Sequence, residues 1–408
     1  MRWLITLLLL VFFQWYSYQA LKTAISNRWI LYGYVFFTLI IVGNLLFYTL
    51  ILERNTTNEP RLMYAIGFFL SLLIFQLLVS VILLAEDVFR IPQALYSFLK
   101  KVPEQTQFIP SRRKIISQIA LGLASIPFAS LLYGMYRGKY NYKVLSYNLE
   151  FEDLPDAFDG FKITQISDIH SGSFDNQTKV QYGVDLVNQQ KSDLVLFTGD
   201  LVNNRADEIK PWIKIFNKIK AEFGVFSILG NHDYGDYMRW ESLAAKRKNM
   251  EDLYDAHNEM GWDLLLNESR FIEKDGDRLA IIGVENWGSG FKKAGDLNKA
   301  LNNVSEKDFK ILLTHDPSHW EAQVIPHPFK IHLTLSGHTH GMQFGIEIPG
   351  IIKWSPAKWR YKQWAGVYSE NKQYLNVNRG FGYLAYPGRV GMWPEVSVIT
   401  LSKSKSSI

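Results

Sequence analysis

The first third of the chain holds four long stretches without a charged side chain: Trp3–Leu21, Trp29–Leu52, Met63–Ala85 and Ile115–Tyr136. Each is close to the ~20 residues that carry a helix across a bilayer. One such run could be a buried core helix or a cleaved signal. Four in succession predict an all-α membrane domain of about four transmembrane helices over residues 1–140. Met1–Leu21 lacks the small-x-small site that signal cleavage needs. No acidic side chain interrupts the four runs, which argues against an ion pathway through them.

Bulk composition hides this asymmetry: 48% of the 408 residues are hydrophobic, but they crowd into the N-terminal third. There is no cysteine, so disulfides and thiolate metal sites are excluded and any metal must be held by nitrogen and oxygen. The formal charge of +5 is mild and forms no dense basic stripe, so no nucleic-acid partner is expected.

Loop charge suggests an orientation. Arg90, Lys100, Lys101, Arg112, Arg113 and Lys114 lie between the third and fourth runs, whereas only Arg54 and Arg61 lie between the second and third. The positive-inside rule puts the richer connection in the cytoplasm, and the chain beyond Arg137 outside it. Ser111-Arg112-Arg113-Lys114 before an apolar run also resembles an internal twin-arginine signal, and it predicts the same side. Glu86–Lys114 reads as an interfacial helix followed by a loop.

From Tyr142 the pattern alternates between strand-like and helix-like segments. Tyr142–Phe151, Lys162–Ser167, Asp193–Thr198, Val225–Leu229, Asp263–Leu266, Leu279–Val284, Phe309–Thr314, His332–Leu335, Tyr374–Val377 and Val396–Leu401 read as strands. Thr178–Gln190, Ala206–Lys220 and Arg239–Met260 read as helices. The expected domain spans 141–402, and 403–408 form a polar tail. Alternation of this kind predicts layered α/β architecture with functional residues at the carboxyl ends of strands.

Five polar clusters follow apolar runs there: Asp168-Ile169-His170, Gly199-Asp200, Gly230-Asn231-His232-Asp233, Thr314-His315-Asp316 and Gly337-His338-Thr339-His340. A lone Asp or His at a strand end is usually a turn or cap residue. Five clusters together offer carboxylate, amide oxygen and imidazole, the donors that hard and borderline divalent cations take. Asp200 could bridge two ions. Such a pair, about 3.5–4 Å apart, can polarise a phosphoryl group and activate a water between them, and in-line attack by that hydroxide would break a P–O bond. His232 could stay unligated and protonate the leaving oxygen, with Asp233 orienting it.

The ordered set resembles the calcineurin-like metallophosphoesterases over roughly residues 150–402. Leu154-Pro155-Asp156-Ala157-Phe158-Asp159-Gly160, Asn378-Arg379-Gly380-Phe381-Gly382, Pro387-Gly388-Arg389 and Trp393-Pro394-Glu395 resemble the membrane-associated bacterial branch of that family. The resemblance implies a four-layer αββα sandwich with two divalent ions (Mn, Fe or Zn). One ion would take Asp168, His170, Asp200 and His340; the other would take Asp200, Asn231, His315 and His338. His232 would be the catalytic histidine. Where that branch usually has glycine, this chain has Met342, which would reshape the mouth of the pocket without removing a ligand.

Arg379 and Arg389 suit bidentate contact with a substrate phosphate, or else form surface salt bridges or loop hydrogen bonds. Lys353–Trp364 mixes Trp354, Trp359, Tyr361 and Trp364 with Lys353, Lys358, Arg360 and Lys362, a composition found at membrane interfaces and also in structured loops with buried aromatics. His319, His327 and His332 belong to no motif and read as structural or exposed, and Asp316 as either a support for the imidazoles or a turn cap. The expected protein is therefore a multi-pass membrane phosphoesterase, with a lipid-linked substrate compatible with its tether. The competing expectations are a cytoplasmic domain acting on a nucleotide-linked lipid precursor, and a sensor or scaffold with a vestigial metal site.

Overall fold

The computed structural model describes residues 2–51, 60–100, 110–348 and 350–404. Arg54, Lys101 and residues 405–408 of the polar tail lie outside the described residues. The chain divides into two compact units that meet at Tyr136 and Arg137 in the sequence.

The first unit is helical: α1 (Arg2–Ala24), α2 (Arg28–Ile51), α3 (Pro60–Lys100) and α4 (Pro110–Tyr136). Among the described residues, Arg28–Leu50, Pro60–Pro92 and Arg112–Tyr136 are long and apolar enough to cross a membrane. The first expected span, on α1, is not among them, since its second half, Gln14-Trp15-Tyr16-Ser17-Tyr18-Gln19, is amphiphilic. Tyr16 and Ala20 of α1 pack with Val79 and Leu83 of α3 and with Ala120 and Ala124 of α4. Alanines at such crossings let helix backbones approach closely. Glu86–Lys100 continues α3 and does not form a separate interfacial helix.

The second unit is layered. In chain order it holds β1 (Lys143–Phe151), β2 (Lys162–Ile166), α5 (Gln177–Gln189), β3 (Leu194–Phe197), α6 (Ile213–Phe216), β4 (Val225–Ser227), α7 (Leu243–Met260), β5 (Asp263–Leu264), β6 (Glu268–Lys274) and β7 (Asp277–Gly283). Then come α8 (Leu297–Ala300), β8 (Phe309–Leu313), β9 (Leu333–Ser336), β10 (Ile346–Ile348), β11 (Ile352–Trp354), β12 (Gly366–Glu370), β13 (Gln373–Val377) and β14 (Glu395–Lys403). One six-stranded sheet has the order β1-β14-β2-β3-β4-β5, the other β12-β13-β9-β8-β7-β6, and β10 and β11 form a separate hairpin.

The sheets stack face to face. Ile163, Leu194, Leu196 and Phe226 from the first sheet share a core with Leu279, Ile281, Ile311, Leu333 and Leu335 from the second. Alternate residues of β7, Ala280 and Ile282, point the other way and pack with Leu297 and Ala300 of α8 and with Trp320 and Val324. Outside the first sheet, Phe197 of β3 meets His257 and Trp262 at the end of α7. The result is the αββα sandwich. Strands covered on both faces read as continuous apolar runs, as Leu194–Phe197 does.

Local signals set the helix limits. Asn176 caps α5 by accepting from Lys179 N at 3.0 Å, and Ser242 caps α7 by accepting from Ala245 N at 3.1 Å. Gly261, at φ 74°, ends α7 in the left-handed conformation glycine favours. The helix expected over Ala206–Lys220 is instead a 3-10 turn, Ala206–Glu208, and the single turn of α6. Pro211 between them removes an N–H and disfavours helix at Lys210.

Candidate metal centre

The polar clusters sit just beyond β2, β3, β4, β8 and β9. β2, β3 and β4 run parallel in one sheet, and β8 and β9 run parallel in the other. The backbone then turns sharply. Asp168, His170, Asp200, His338 and His340 all have φ between 48° and 71°, a region that side chains other than glycine rarely adopt. Five such residues in one place hold strain of the kind found at functional sites. Close approach also needs glycine: a Cβ on Gly337 would lie 1.9 Å from Ser167 Oγ, and one on Gly230 would lie 2.2 Å from Asp200 Oδ1.

Asp168, His170, Asp200, Asn231, His315 and His340 are buried, His338 is half-buried, and all seven are brought together. Asp168, His170 and His340 each offer a ligand atom within 4.8 Å of the others, as do Asp168, Asp200 and His315. His170 Nε2 lies 3.0 Å from His340 Nε2, and His340 Nε2 lies 3.1 Å from Asp168 Oδ1. Asp200 Oδ2 lies 3.4 Å from His170 Nε2 and 3.1 Å from His315 Nε2, while Oδ1 accepts from His232 N at 2.8 Å. One carboxylate oxygen thus faces both imidazoles. On the other side, His338 Nδ1 and Asn231 Oδ1 are 2.8 Å apart. The second carboxylate-histidine triplet draws in Asp168 where the sequence pointed to Asn231 and His338, and His338 belongs to neither triplet.

Three observations fit a cation. Donor atoms sharing one ion at about 2.1 Å lie on the order of 3 Å apart, which is the spacing found. His315 Nδ1 lies 2.7 Å from the Thr198 carbonyl and so carries a proton; buried Nε2, aimed at the carboxylates, is left to take either a second proton or an ion. The electrostatics agree. Burial would lower the His315 imidazole, but the Asp200 and Asp168 carboxylates push it up to about 10, so this point attracts positive charge. Burial would raise Asp168 and Asp200, yet the neighbouring histidines, His340 for the first and His315 for the second, hold both below the usual carboxylate range. Burial pushes His170 well down and His338 down to about 4, leaving neutral imidazoles suited to ligation.

His232, like His338, is half-buried. Its Nδ1 lies 2.8 Å from the Asn203 carbonyl and so carries a proton. The expectation that Asp233 orients it needs correction. Both Asp233 oxygens accept backbone N–H groups, from Asp200 at 2.9 Å, Leu201 at 2.8 Å, Val202 at 3.2 Å and Gly230 at 2.8 Å. Asp233 is a loop clamp. Burial, then repulsion from Asp200, pushes its carboxyl up to about 7 despite those donors.

Arg379 and Arg389 are also corrected. Both are buried. Arg379 donates to Glu347 at 2.8 Å and to Glu395 at 3.1 Å. Arg389 donates to the Gly382 carbonyl at 2.6 Å and the Met392 carbonyl at 3.2 Å, and it lies 3.1 Å from His340 Nδ1. Neither presents a free fork to a phosphate. Asp316 accepts from Ser318 N at 2.8 Å and so caps its turn.

Two tyrosines escaped the sequence reading. Asn231 Nδ2 donates to Tyr237 Oη, and His338 Nε2 lies against Tyr361 Oη, each at 2.8 Å. Tyr237 follows the Asn231 cluster by six residues, and Tyr361 lies in the stretch read as a lipid patch, so neither carried a motif signal.

Comparison with known proteins points to a family. Residues 161–342 match the family model described as calcineurin-like phosphoesterase. Residues 1–139 match the model described as probable calcineurin-like phosphoesterase, transmembrane domain. The metallophosphoesterase YkuE of Bacillus subtilis is 29% identical over 275 residues, 67% of this chain and 90% of that protein. A metallophosphoesterase of Helicobacter pylori is 27% identical over 404 residues, 97% of this chain and 96% of that one. A transmembrane protein with metallophosphoesterase domain from Danio rerio is 26% identical over 282 residues, 67% of this chain, and the match spans 60% of the fish protein's length. Among solved structures, the Thermus thermophilus sulfate thiohydrolase SoxB aligns with TM-score 0.36 and 13% identity, covering 61% of this chain and 58% of that one.

Proposed function

The chain belongs to the calcineurin-like phosphoesterase family, and from that premise we propose that it is a membrane-anchored, two-metal phosphoesterase acting on a phosphate ester or pyrophosphate. The observation that carries this reading is Asp200 Oδ2, placed between the His170 and His315 imidazoles with half-buried His232 on the same loop system. Asp168, His170, Asp200 and His340 would hold one divalent ion, and Asp200, Asn231, His315 and His338 the other. When bound, such ions supply Lewis acidity toward a phosphoryl oxygen and toward the attacking water.

The chain's own groups do the rest. His232, anchored through Nδ1 by the Asn203 carbonyl, turns Nε2 outward to give a proton to the leaving oxygen or to hold developing charge. Asp233 keeps the Asp200 and Gly230 loops in register, so that His232 and Asp200 stay together. The transmembrane unit keeps the site near a bilayer, which makes a lipid-linked substrate the favoured class. The basic connection before α4 supports an extracytoplasmic domain. A reporter fused after Ile408 tests that side, and activity of a cytoplasm-only reporter would overturn it.

The chemistry is tested with full-length chain in detergent, loaded with Mn²⁺. It is offered an aryl phosphomonoester, a phosphodiester and a lipid pyrophosphate. His232→Ala should lower turnover on the order of 10²-fold or more with metal content unchanged. Asp200→Asn should lose both turnover and metal. Full turnover in both variants would refute the assignment. Fewer than one ion per wild-type chain, with no hydrolysis, would favour a vestigial site.

A further inference from the structure

The hairpin of β10 and β11 exposes apolar side chains. Ile346 pairs with Trp354 and Ile348 with Ile352, so these four share one face; Glu347 pairs with Lys353 on the other. The charged pair is exposed but tied to the domain: Glu347 accepts from Arg379 at 2.8 Å, and Lys353 Nζ donates to the Ala365 carbonyl at 2.7 Å. On the apolar face Ile346, Ile348 and Ile352 are exposed and Trp354 is half-buried, and Ile351, at the turn, is 80% exposed. Trp359, 76% exposed, rests edge-on against Trp354 and extends the patch.

This surface is firmly mounted beside the metal centre. Ser355 Oγ donates to the Gly341 carbonyl at 2.6 Å, and Thr339 Oγ1 donates to the Trp364 carbonyl at 2.7 Å. Ala357, Trp364, Ala365 and Met392 form a small core beneath it. Tyr361, from the same segment, touches His338, and exposed Met342 lies two residues beyond His340. The placement therefore has rigid support, and an uncovered apolar face on a two-stranded hairpin is costly in water.

We propose that this hairpin and Trp359 dock into the lipid interface of the membrane that the chain's own helices occupy. Charge favours that occupant. The hairpin's one carboxylate, Glu347, is paired with Arg379, whereas Lys358 and Arg360 flank Trp359 with exposed positive charge. Isoleucine and tryptophan edged by basic residues match the boundary between acyl chains and anionic headgroups. Tethering makes the contact reachable, since only Arg137 separates the end of α4 from the first turn of the domain, Gly138–Tyr140. Docking would hold the mouth of the site at headgroup depth, which narrows the substrate to a lipid headgroup phosphate. That last consequence rests on the phosphoesterase reading; the docking itself does not.

The absence of cysteine makes the test direct. Ile351→Cys, in the full chain reconstituted into vesicles containing anionic lipid, carries an environment-sensitive fluorophore as the sole label. Its emission should shift to shorter wavelength and be quenched by a nitroxide borne on the lipid chains. A label at Glu370→Cys, at the end of the second sheet far from the metal centre, should stay water-like. Water-like emission at Ile351→Cys would overturn the proposal. So would a shifted emission that lipid-borne nitroxide cannot quench, because the patch would then be covered by protein, such as a second copy. The readout needs no hydrolysis, so an inactive enzyme would leave it intact.

Discussion

In the helical unit Ser17, Ser71, Gln76 and Ser80 are buried, while Phe36, Phe37 and Leu39 stand outside. In the layered domain Ile163, Leu196 and Ile311 are buried, and the only outward-facing sheet side rich in isoleucine among the described residues is the β10–β11 hairpin. The difference follows from the solvent. Lipid tails are as apolar as leucine, so a helix gains nothing by hiding leucine and gains hydrogen bonds by gathering its polar groups. Water rewards the reverse arrangement. Buried polar groups therefore mean different things in the two units: glue between helices in one, and a chemical site in the other.

The largest expected effects break the domain side of this comparison. His340→Ala should remove the ion shared with Asp168, and His338→Ala the ion shared with Asn231. Each should lower activity on the order of 10³-fold, about 4 kcal/mol of barrier, and each should leave one ion per chain by elemental analysis. Loss of both ions in both variants would show that the imidazoles act as one unit.

A buried polar group outside the site gives a sharper control. His257 is fully buried on α7, with Nδ1 3.0 Å from Ser227 Oγ. Burial alone pushes its imidazole down to about 3, well below the ordinary 6.5. The unfolded chain therefore binds the proton that the folded chain refuses, and stability falls as pH drops from 6.5 toward 3. Between pH 7 and pH 4 the loss should be on the order of 3 kcal/mol. His257→Gln should flatten that slope, measured as the thermal midpoint of chelator-treated protein, where ion loss makes no contribution. An unchanged slope would place the acid sensitivity elsewhere.

Legibility in the sequence followed the same divide. The clusters at Asp168, Asp200, Asn231, His315 and His338 were readable because each ends an apolar run, and strand ends are where such folds place their chemistry. The roles of Asp233, Arg379 and Arg389 were not readable. A buried ion or clamp looks like a free one until its partners, backbone N–H groups or Glu347 and Glu395, are brought in from distant sequence. The hairpin was missed as a strand pair because its segments are three residues long, and its alternation says nothing about which face meets water. The break at Pro211 was visible in the sequence but outweighed by the helical pattern around it.

Tyr361→Phe probes a smaller contribution. It keeps the ring but leaves His338 Nε2 with no hydroxyl, and Asp316 Oδ2 at 3.6 Å is too far to replace it. Partners that orient a ligating histidine are typically worth 10–100-fold in metal affinity. The ion held with Asn231 should therefore weaken about 10-fold in a metal titration, while the ion held with His170 is unaffected. Equal weakening of both would remove Tyr361 from a positioning role.

The smallest effect tests the membrane side. Gln76 Nε2 donates to Gln14 and, at 3.0 Å, to Tyr34 Oη, joining α3 to α1 and α2, and its backbone carbonyl accepts from Ser17 Oγ at 3.2 Å. In water, removing a buried amide with several partners would strand them at a cost of about 1–3 kcal/mol each. In a bilayer, interhelical bonds of this kind average about 0.6 kcal/mol and reach about 1.7, because helices separated in lipid find other partners. Gln76→Leu should therefore cost no more than about 2 kcal/mol in a detergent-unfolding titration of the full chain. A larger loss would mean that the polar interior of the helical unit behaves like that of the domain, and the contrast between the two would then owe less to solvent than to shared design.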